Sequence, residues 1–409
     1  MTFQVALTGL DAAGTQLDTI SNNIANNATS GFKSSRAEFA DVYALSTFGG
    51  SSPATGQGVQ VSGVRQDFGQ GDMQFTNRNL DLSVEGLGMF RLEKDGSAIY
   101  TRSGNFGMDR EGYITDSEGN ILTGFGVNEQ DEIQPVTDLL QVDYTDLRPN
   151  ASTGVSIAAN LDIKSPVLPP FDVDDPGTFN FSTSTTVYDS LGSSLVSNIY
   201  FRRDAANAWS AFAYVDNVPV SADPLLGEQL NFSPDGVLLD VNGNTAGTFD
   251  TISFTPAADS ENMQLTFDIS EISQFDNAFG VNRIVQDGYA AGRLEDFDID
   301  SDGVVFGRFS NGQAKTMGQI TLTNFPNQEG LRQIGSNSWM ETSSSGEPAT
   351  GSPGSASLGT LLAGSLEGSN VDITKELVSM IGAQRSFQAN AQVISTGDTL
   401  TQTVINIRR

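Results

Sequence analysis

The two ends of the chain share a hydrophobic pattern that sets them apart from the residues between them. Apolar side chains recur there at steps of three, four or seven, which aligns them on one face of an α-helix. In the N-terminal segment, 3–27, they are Phe3, Leu7, Leu10, Leu17, Ile20 and Ile24. In the C-terminal segment, 371–407, they are Ile373, Leu377, Met380, Phe387, Ala391, Ile394 and Ile405. The pattern predicts one amphipathic helix at each end.

A second apolar stripe runs along the C-terminal segment, at Val378, Ile381, Leu400, Val404 and Ile407. One stripe can face a partner helix while the other faces a neighbouring copy of the chain. The simpler alternative is an ordinary hairpin of two helices on the body of their own chain. A lone antiparallel pair leaves about half of each helix exposed, so we expect both ends to fray in the monomer and to become ordered in an assembly.

The residues between the two helices have the pattern of short strands and turns. Asp95-Gly96, Asp302-Gly303 and Asn311-Gly312 are typical of tight hairpins, and turn signals recur every 8–12 residues or so. This spacing predicts antiparallel meanders. The predicted strands include Val59–Val64, Thr183–Val187, Ser197–Phe201, Ala211–Val215, Gln264–Ile269, Leu294–Ile299, Val304–Phe309 and Lys315–Phe325.

Changes of composition divide the chain into nested parts. Segments 44–72 and 342–370 are rich in Gly and Ser, as linkers are, and five prolines cluster within 146–176. The predicted fold class is mixed and mainly β, with two nested antiparallel β domains plus a terminal α-helical coiled-coil domain formed by both chain ends. The predicted bounds are 1–30 with 371–409 for the helical domain, 31–72 and 342–370 for extended connectors, 73–145 with 282–341 for the first β domain, and 146–281 for an inserted outer β domain.

Charge limits the classes of partner. The chain holds 21 basic and 50 acidic residues, a net charge of −29. Both ends are nearly neutral, whereas segment 146–281 alone has four basic and eighteen acidic residues, a balance of −14. Nucleic acid and anionic lipid need clustered Lys and Arg, so neither is expected as a partner. The sequence also lacks a long apolar run and a basic, apolar leader, so we expect no membrane insertion and no cleaved secretory signal.

Candidate catalytic chemistry is sparse. The chain has no Cys and no His, which removes thiol nucleophiles and the commonest general base. Acidic clusters at Asp172, Asp174 and Asp175, and at Asp296, Asp298 and Asp300, could in principle support glycoside hydrolysis. With 50 acidic residues such clusters arise by chance, and nothing selects two of them. We predict no enzyme activity, no catalytic residue and no cofactor.

The string Asp298-Ile-Asp300-Ser-Asp302-Gly303 resembles the opening of a calcium-binding loop. A complete loop needs a bidentate Glu at its twelfth position, and that position is Phe309. The flanking segments also have the pattern of strands, where such a loop needs helices. We interpret the string as a structural turn, with calcium binding as the weaker alternative, and predict no metal site.

The end segments resemble the family of flagellar rod and hook proteins. Residues 21–33, SNNIANNATSGFK, are similar to the family's N-terminal signature, and the stretch from Leu366 to Ile407 is similar to its C-terminal signature. Residues 100–120, 310–313, 318–331 and 351–355 add to the resemblance, which is strong over 1–145 and 282–409 and weak over 146–281. The N-terminal signature residues are Ser21, Asn22, Asn23, Ile24, Ala25, Asn26, Thr29, Gly31, Phe32 and Lys33.

The resemblance implies a structural role in the bacterial flagellum. Hook subunits polymerise into a short, curved, hollow tube outside the cell, which joins the motor rod to the filament as a universal joint and serves as an export conduit. The implied partners are other copies of the chain, rod proteins, the hook cap protein, hook–filament junction proteins and the flagellar type III export apparatus. The long insert favours a hook subunit; a distal rod protein, or an acidic β-rich adhesin or carbohydrate-binding protein, is the alternative.

On this interpretation the apolar stripes form the polymerisation core. The predicted core residues are Phe3, Leu7, Leu10, Leu17, Ile20 and Ile24 of the N-terminal helix, and Ile373, Leu377, Met380, Ile381, Phe387, Ile394, Leu400, Val404 and Ile407 of the C-terminal helix.

Overall fold

A computed structural model describes residues 2–42, 56–128, 130–256 and 259–407. Helix α1 (Thr2–Ala25) and helix α2 (Ile373–Ile407) occupy the two ends, as the apolar spacing predicts. Asp372 caps α2, because its Oδ1 accepts hydrogen bonds from the backbone N–H groups of Thr374 and Lys375 at 2.9 and 3.1 Å. α1 ends at Ala25, directly before an asparagine-rich turn.

Strands fill most of the chain between the helices. The first ten are β1 (Ser35–Asp41), β2 (Val59–Gln66), β3 (Met73–Phe75), β4 (Leu82–Glu85), β5 (Met89–Lys94), β6 (Ser97–Thr101), β7 (Gly107–Met108), β8 (Ile114–Thr115), β9 (Ile121–Val127) and β10 (Ile133–Leu139). Those that follow, up to residue 286, are β11 (Gly154–Asp162), β12 (Phe181–Tyr188), β13 (Ser194–Ala205), β14 (Ala208–Val215), β15 (Val218–Pro219), β16 (Glu228–Phe232), β17 (Leu238–Val241), β18 (Thr248–Asp250), β19 (Thr266–Asp268), β20 (Ser273–Phe275) and β21 (Gly280–Gln286). The remaining strands are β22 (Leu294–Ile299), β23 (Val304–Phe309), β24 (Ala314–Ile320), β25 (Leu322–Asn324), β26 (Arg332–Gly335), β27 (Ser338–Met340), β28 (Ala349–Gly351), β29 (Thr360–Ala363) and β30 (Ser365–Glu367). Short 3-10 turns lie at Pro176–Thr178 and Gln328–Gly330.

The chain divides into two compact units. The terminal-helix unit comprises residues 1–144, 296–307 and 314–409, and the inserted unit comprises 145–295 with 308–313. The inserted unit extends beyond the predicted bound at 281, because β21 pairs antiparallel with β11 and so holds residues 280–286 in the same sheet. The bounds of the inserted unit are therefore set by strand pairing, which cannot be inferred from amino-acid composition.

The inserted unit has two sheets. One has the strand order β12-β13-β14-β16-β17, and its neighbouring strands are antiparallel. The other has the order β18-β19-β11-β20 and contains two parallel pairs, β11 with β19 and β11 with β20. The prediction of purely antiparallel pairing is wrong at these pairs, since strand direction depends on long connections that alternation along the chain does not encode. Fully buried core residues include Ile157, Phe201, Trp209, Leu230 and Phe267.

The terminal-helix unit contains a sheet with the order β24-β9-β5-β6-β27-β26. Met89, Tyr100, Phe325 and Trp339 form a buried hydrophobic cluster in this unit. Tyr100 and Phe325 meet edge to face with ring centroids 4.7 Å apart, a favourable arrangement for aromatic rings. The predicted strand Lys315–Phe325 is divided at Thr321 into β24 and β25.

The segments predicted to be extended connectors contain paired strands. β1 pairs with β2, β3 with β30, and β4 with β29, all antiparallel. The sequence indicated only Val59–Val64 as a strand in the first connector, because its Gly and Ser content obscured the pairing. Backbone N–H and C=O groups near other chain segments need partners, and these pairings supply them. Residues 43–55 of that predicted connector lie outside the described residues.

Candidate self-assembly surface

Helices α1 and α2 pack against each other in antiparallel orientation. Asn23 donates a hydrogen bond from Nδ2 to Oε1 of Glu376 at 3.2 Å. Near the other end of α1, Gly9 abuts Asn390, since a Cβ atom at Gly9 would lie only 2.8 Å from the Asn390 side chain. The residue numbers of both facing pairs total 399, which fixes the register. α1 begins at Thr2, so the residues of α2 beyond 397 extend past the start of α1.

The inner side of α1 follows coiled-coil spacing. Shielded apolar residues alternate there by four and three positions, at Ala6, Leu10, Ala13, Leu17, Ile20 and Ile24, and Ala12 beside them is buried as well. On α2, Ala383 is buried, and Met380, Asn390 and Ile394 are half-buried. α1 also packs on the paired strands β1 and β2, where Thr8 Oγ1 accepts a hydrogen bond from Val59 N at 3.4 Å. Both α2 and this strand pair therefore hold α1 in place.

Large apolar side chains remain exposed along both helices. We call this set the outer stripe; it consists of Phe3, Val5 and Leu7 on α1, and of Ile373, Leu377, Val378, Ile381, Phe387, Val393 and Leu400 on α2. Exposed apolar series of this kind mark interaction sites in soluble proteins. The predicted polymerisation residues thus divide into two groups. Leu10, Leu17, Ile20, Ile24, Met380 and Ile394 are shielded within the chain, whereas the other predicted residues with described side chains are exposed. The side chains of Val404 and Ile407 lie outside the described part.

Asn23 of the signature joins three elements. Its side chain is fully buried, donates from Nδ2 to Ser35 O at 2.8 Å and to Glu376, and accepts at Oδ1 from Ser35 N at 2.9 Å. These bonds connect the end of α1 to the start of β1 and to the first turn of α2. The neighbouring Asn26 donates from Nδ2 to Asn22 O at 3.0 Å and accepts from Thr29 Oγ1 at 3.3 Å, which closes the end of α1.

Gly31 is required by the backbone. Its φ of +69° lies in the left-handed region, and a Cβ atom there would lie 2.5 Å from Ser103 N. Its own N–H donates to Glu367 O at 2.8 Å, and the next residue, Phe32, is buried. The signature Gly therefore lets the chain leave α1 against the backbone at residues 102–103.

A buried ion cluster lies beneath the helix pair and consists of Lys33, Arg102 and Glu367. Lys33 Nζ lies 2.6 Å from Glu367 Oε1, and Arg102 Nη1 lies 3.1 Å from Glu367 Oε2. The side chains of Lys33 and Glu367 have no solvent exposure, and that of Arg102 is 3% exposed. Burial lowers the pKa of Lys33 and the pKa of Arg102, although the Glu367 carboxylate opposes this effect in both.

Backbone groups complete the shell of the ion cluster. Gly71 N donates to Glu367 Oε1 at 3.0 Å, Lys33 Nζ donates to Gly69 O at 2.8 Å, and Arg102 donates to Gly86 O at 2.7 Å. The cluster therefore ties the segment after α1 and the segment before α2 to the same β-sheet framework. The sequence identified Lys33 through the signature but gave Arg102 and Glu367 no role, although both lie within stretches that carry the family resemblance.

The acidic clusters singled out in the sequence serve as turn-forming groups. Asp300 Oδ1 accepts from Asp302 N and Val304 N at 3.0 and 2.8 Å, in the turn between β22 and β23. In the loop before β12, Asp172 Oδ1 accepts from Asp174 N and Asp175 Oδ1 from Gly177 N. Across the described ranges, no group of three or more acidic side chains is arranged to hold a metal ion. Over the same ranges, neither helix is apolar enough over a sufficient length to cross a bilayer.

Four family models match the chain in consecutive parts. They describe a flagella basal body rod protein (residues 3–33), a flagellar hook protein FlgE/F/G D1 domain (83–160), a flagellar basal body protein FlaE D2 domain (158–289) and a flagellar basal body rod FlgEFG protein C-terminal region (362–407). The first and last of these contain α1 and α2.

Curated relatives match along the whole chain. The flagellar hook protein FlgE of Salmonella typhimurium is 38% identical over 422 residues and that of Escherichia coli K12 is 38% identical over 419, each with 100% of both chains covered. The hook protein of Borreliella burgdorferi is 30% identical over 98% of both chains. A crystal structure of the Helicobacter pylori flagellar hook protein FlgE2 has a TM-score of 0.53 at 15% identity, over 70% of this chain and 98% of that one, which shows a shared fold.

The fold and the terminal signatures define a structural protein of the flagellar axis. More particularly, the chain belongs to the flagellar hook protein family. It is a hook subunit located in the flagellar hook, as its full-length relatives are hook proteins. This agreement over the whole length, with the D2 family match at residues 158–289, decides between the hook and distal rod interpretations.

Proposed function

We propose that the outer stripe is the surface through which copies of this chain polymerise into the hook tube. The main support is that ten large apolar side chains stay exposed on the described part of a helix pair that is anchored at its base by Asn23 and by the buried ion cluster. Burying such side chains against a neighbour is worth about 1.5–3 kcal/mol each when burial is complete. The helices carry little net charge, so electrostatic repulsion opposes their association only weakly.

The proposed tube has the helix pairs on its inner side, around an export conduit, and the β-rich parts toward the outside. The hook acts as a universal joint between the motor rod and the filament, so neighbouring subunits must slide past one another during rotation. Polar contacts permit sliding better than an apolar interface does. The balance of −14 over residues 146–281 suits such contacts, since salt screens their repulsion.

The specific protein partners that we propose follow from the position of a hook in the flagellum. They are rod proteins at one end, the hook cap protein and hook–filament junction proteins at the other, and the flagellar type III export apparatus that delivers the unfolded chain. Family membership supports these partners, and the absence of Cys is compatible with export in an unfolded state.

Substitution in the outer stripe tests the proposal on the full chain. We expect a variant with Leu7→Gln, Leu377→Gln and Ile381→Gln to keep the helix content of the monomer, because these side chains are 44–50% exposed. It should remain monomeric by sedimentation and electron microscopy at concentrations where the unmodified chain forms tubes.

The matched control is Leu225→Gln with Leu226→Gln in the inserted unit, where the two side chains are 78% and 57% exposed. The control should polymerise normally, which separates loss of the stripe from a general loss of apolar surface. Normal tubes from the stripe variant would refute the proposal.

A further inference from the structure

The sheet edges in the described ranges are protected in different ways. An edge strand carries unpaired backbone N–H and C=O groups, which natural proteins guard with charge, proline, irregular pairing or short length. In the sheet that contains β9, the outlying strand β22 carries Glu295, Asp296 and Asp298, β10 contains Pro135, and β26 has Arg332. In the antiparallel sheet of the inserted unit, the edge strand β17 has only four residues, and its pairing with β16 is irregular.

Strand β12, at the other edge of that sheet in the inserted unit, has none of these protections. All eight of its residues, Phe181–Tyr188, pair with β13 in continuous register. The strand contains no charged residue and no proline. In the described ranges, β13 is its only ladder partner. β12 is therefore long, regular and uncharged, and these are the properties that let a further strand pair with an edge.

The backbone groups of alternate β12 residues point away from β13. Tyr188 shows this direction, because its N–H donates to Ser152 Oγ at 3.0 Å and its C=O accepts from Ser152 N at 2.8 Å. Since the direction alternates along a strand, the N–H and C=O groups of residues 182, 184 and 186 point away from β13 as well. Within the part of the chain that the structure describes, these groups have no hydrogen-bond partner. They form an open row of donors and acceptors.

The side chains of β12 define the kind of strand that fits this row. Ser182, Ser184 and Thr186 are exposed on one side of the sheet, whereas Thr183 and Thr185 are half-buried on the side that carries the buried core. An added strand places its alternate side chains beside these two sets, where Thr and Val make favourable cross-strand pairs. The fitting segment is therefore extended, free of proline, rich in Thr and Val, and long enough to span residues 182–186.

Symmetry and charge indicate that this strand belongs to another protein. Two β12 edges can pair with each other only about a two-fold axis, because both must present the same side. Neighbouring subunits in the proposed tube share one orientation, so no such axis relates them. Free copies repel each other, since residues 146–281 have a balance of −14, whereas a strand flanked by Lys or Arg is attracted.

We propose that β12 is a docking edge for an extended strand of another protein, which extends the sheet of the inserted unit and carries basic residues on either side of its pairing segment. In this mode of recognition, main-chain hydrogen bonds supply the affinity and alternate side chains supply the specificity. The inference goes beyond polymerisation, because the docking edge lies in the inserted unit and involves neither terminal helix.

A synthetic peptide tests the edge on the dilute, unpolymerised full chain. The probe is dye-labelled Lys-Lys-Thr-Val-Thr-Val-Thr-Lys-Lys, and we expect saturable binding by fluorescence anisotropy. A control peptide with Pro in place of the central Thr keeps the charge but cannot complete the pairing, so it should bind at least about tenfold more weakly. Absence of saturable binding would overturn the proposal. Equal binding of the two peptides would also overturn it, because charge alone would then account for the attraction.

Proline at position 184 tests the edge from the side of the protein. The N–H of Ser184 points away from β13, so Ser184→Pro removes a docking donor and leaves the bonds of residues 183 and 185 to β13 in place. The probe should bind this variant at least about tenfold more weakly. The matched control Ser184→Ala changes the same exposed side chain but keeps the N–H, and its affinity should stay within about twofold of the unmodified chain. Equal affinities of the two variants would contradict the docking edge.

Amide exchange gives a measurement that needs no variant. Saturation with the probe should slow exchange at residues 182, 184 and 186 and leave residues 183, 185 and 187, which are already bonded to β13, unchanged. Unaltered exchange at the first set would overturn the proposal. Sedimentation of the dilute chain without peptide reports the other occupant: a dimer that Ser184→Pro abolishes would assign the edge to a second copy and overturn the choice of another protein. None of these measurements depends on whether the outer stripe drives polymerisation.

Discussion

The buried ion cluster makes a strong prediction about the substitution Glu367→Gln. Glutamine keeps the shape of the side chain but removes the carboxylate charge that lies 2.6 Å from Lys33 Nζ and 3.1 Å from Arg102 Nη1. Two cations then remain in a site from which solvent is excluded. Removing one partner of a buried ion pair typically costs about 3–5 kcal/mol, so we expect the terminal-helix unit to lose about that much free energy of unfolding.

Replacing Lys33 has a smaller predicted effect. In Lys33→Met the Glu367 carboxylate still accepts from Arg102 and from Gly71 N, and Gly69 O still accepts from Asn370 Nδ2 at 3.1 Å. The lost charged hydrogen bond should cost about 1–3 kcal/mol. The double variant, Lys33→Met with Glu367→Gln, should be more stable than Glu367→Gln alone, because it removes one of the two uncompensated cations. The two substitutions are therefore strongly non-additive.

The two tryptophans allow a selective assay. Trp339 lies in the terminal-helix unit and Trp209 in the inserted unit. In a Trp209→Phe background, urea unfolding followed by fluorescence reports the terminal-helix unit, and the midpoint with its slope gives the free energy of unfolding. Exposed Glu85, on β4, provides the control Glu85→Gln, which should shift that free energy by no more than about 0.5 kcal/mol. A Glu367→Gln variant as stable as this control, or a double variant less stable than Glu367→Gln, would refute the reasoning.

Three further predictions concern other features. Burial, with a hydrogen bond to Glu341, raises the pKa of Tyr100 to about 12 from 10.0. The contribution of Tyr100 to the free energy of unfolding should therefore be fully present below pH 10 and decline toward pH 12. Tyr100→Phe should flatten this decline in pH-dependent unfolding, and an unchanged slope would contradict the prediction. Gly31→Ala should lower the free energy of unfolding by at least about 1–2 kcal/mol in the same urea assay, and a neutral result would exclude the close approach to Ser103. Deleting 145–293, the inserted unit up to the start of β22, should change hook curvature by electron microscopy, and normally curved hooks would argue against a role for that unit.

The terminal helices and many turns were predictable because their signals are local. The three-and-four spacing from Leu10 to Ile24 is set by a few turns of one helix, and Asp372 marks the start of α2 by its own capping bonds. Asp95-Gly96 and Asn311-Gly312 likewise fall between consecutive strands, β5–β6 and β23–β24. In each case the residues that determine the structure are neighbours in the sequence.

The remaining features depend on contacts between distant residues. Lys33 and Glu367 are 334 positions apart, and Arg102 and Glu367 are 265 apart, so no window of sequence contains the ion cluster. The division of the apolar stripe has the same origin. Phe3 and Leu10 have equivalent spacing, yet Phe3 is 55% exposed and Leu10 is half-buried, because the environment of α1 changes along its length. Spacing predicts which residues share a face, whereas exposure requires knowledge of what covers that face.

The central claim is that the helix pair completes its packing only with other copies of the chain. Hydrogen exchange detected by mass spectrometry, on dilute monomer and on assembled tubes, measures this directly. We predict that amides over 2–25 and 373–407 exchange faster in the monomer than in the tube, while strands β12–β14 of the inserted unit exchange equally in both states. Helices that are already as protected in dilute monomer as in the tube would contradict the claim.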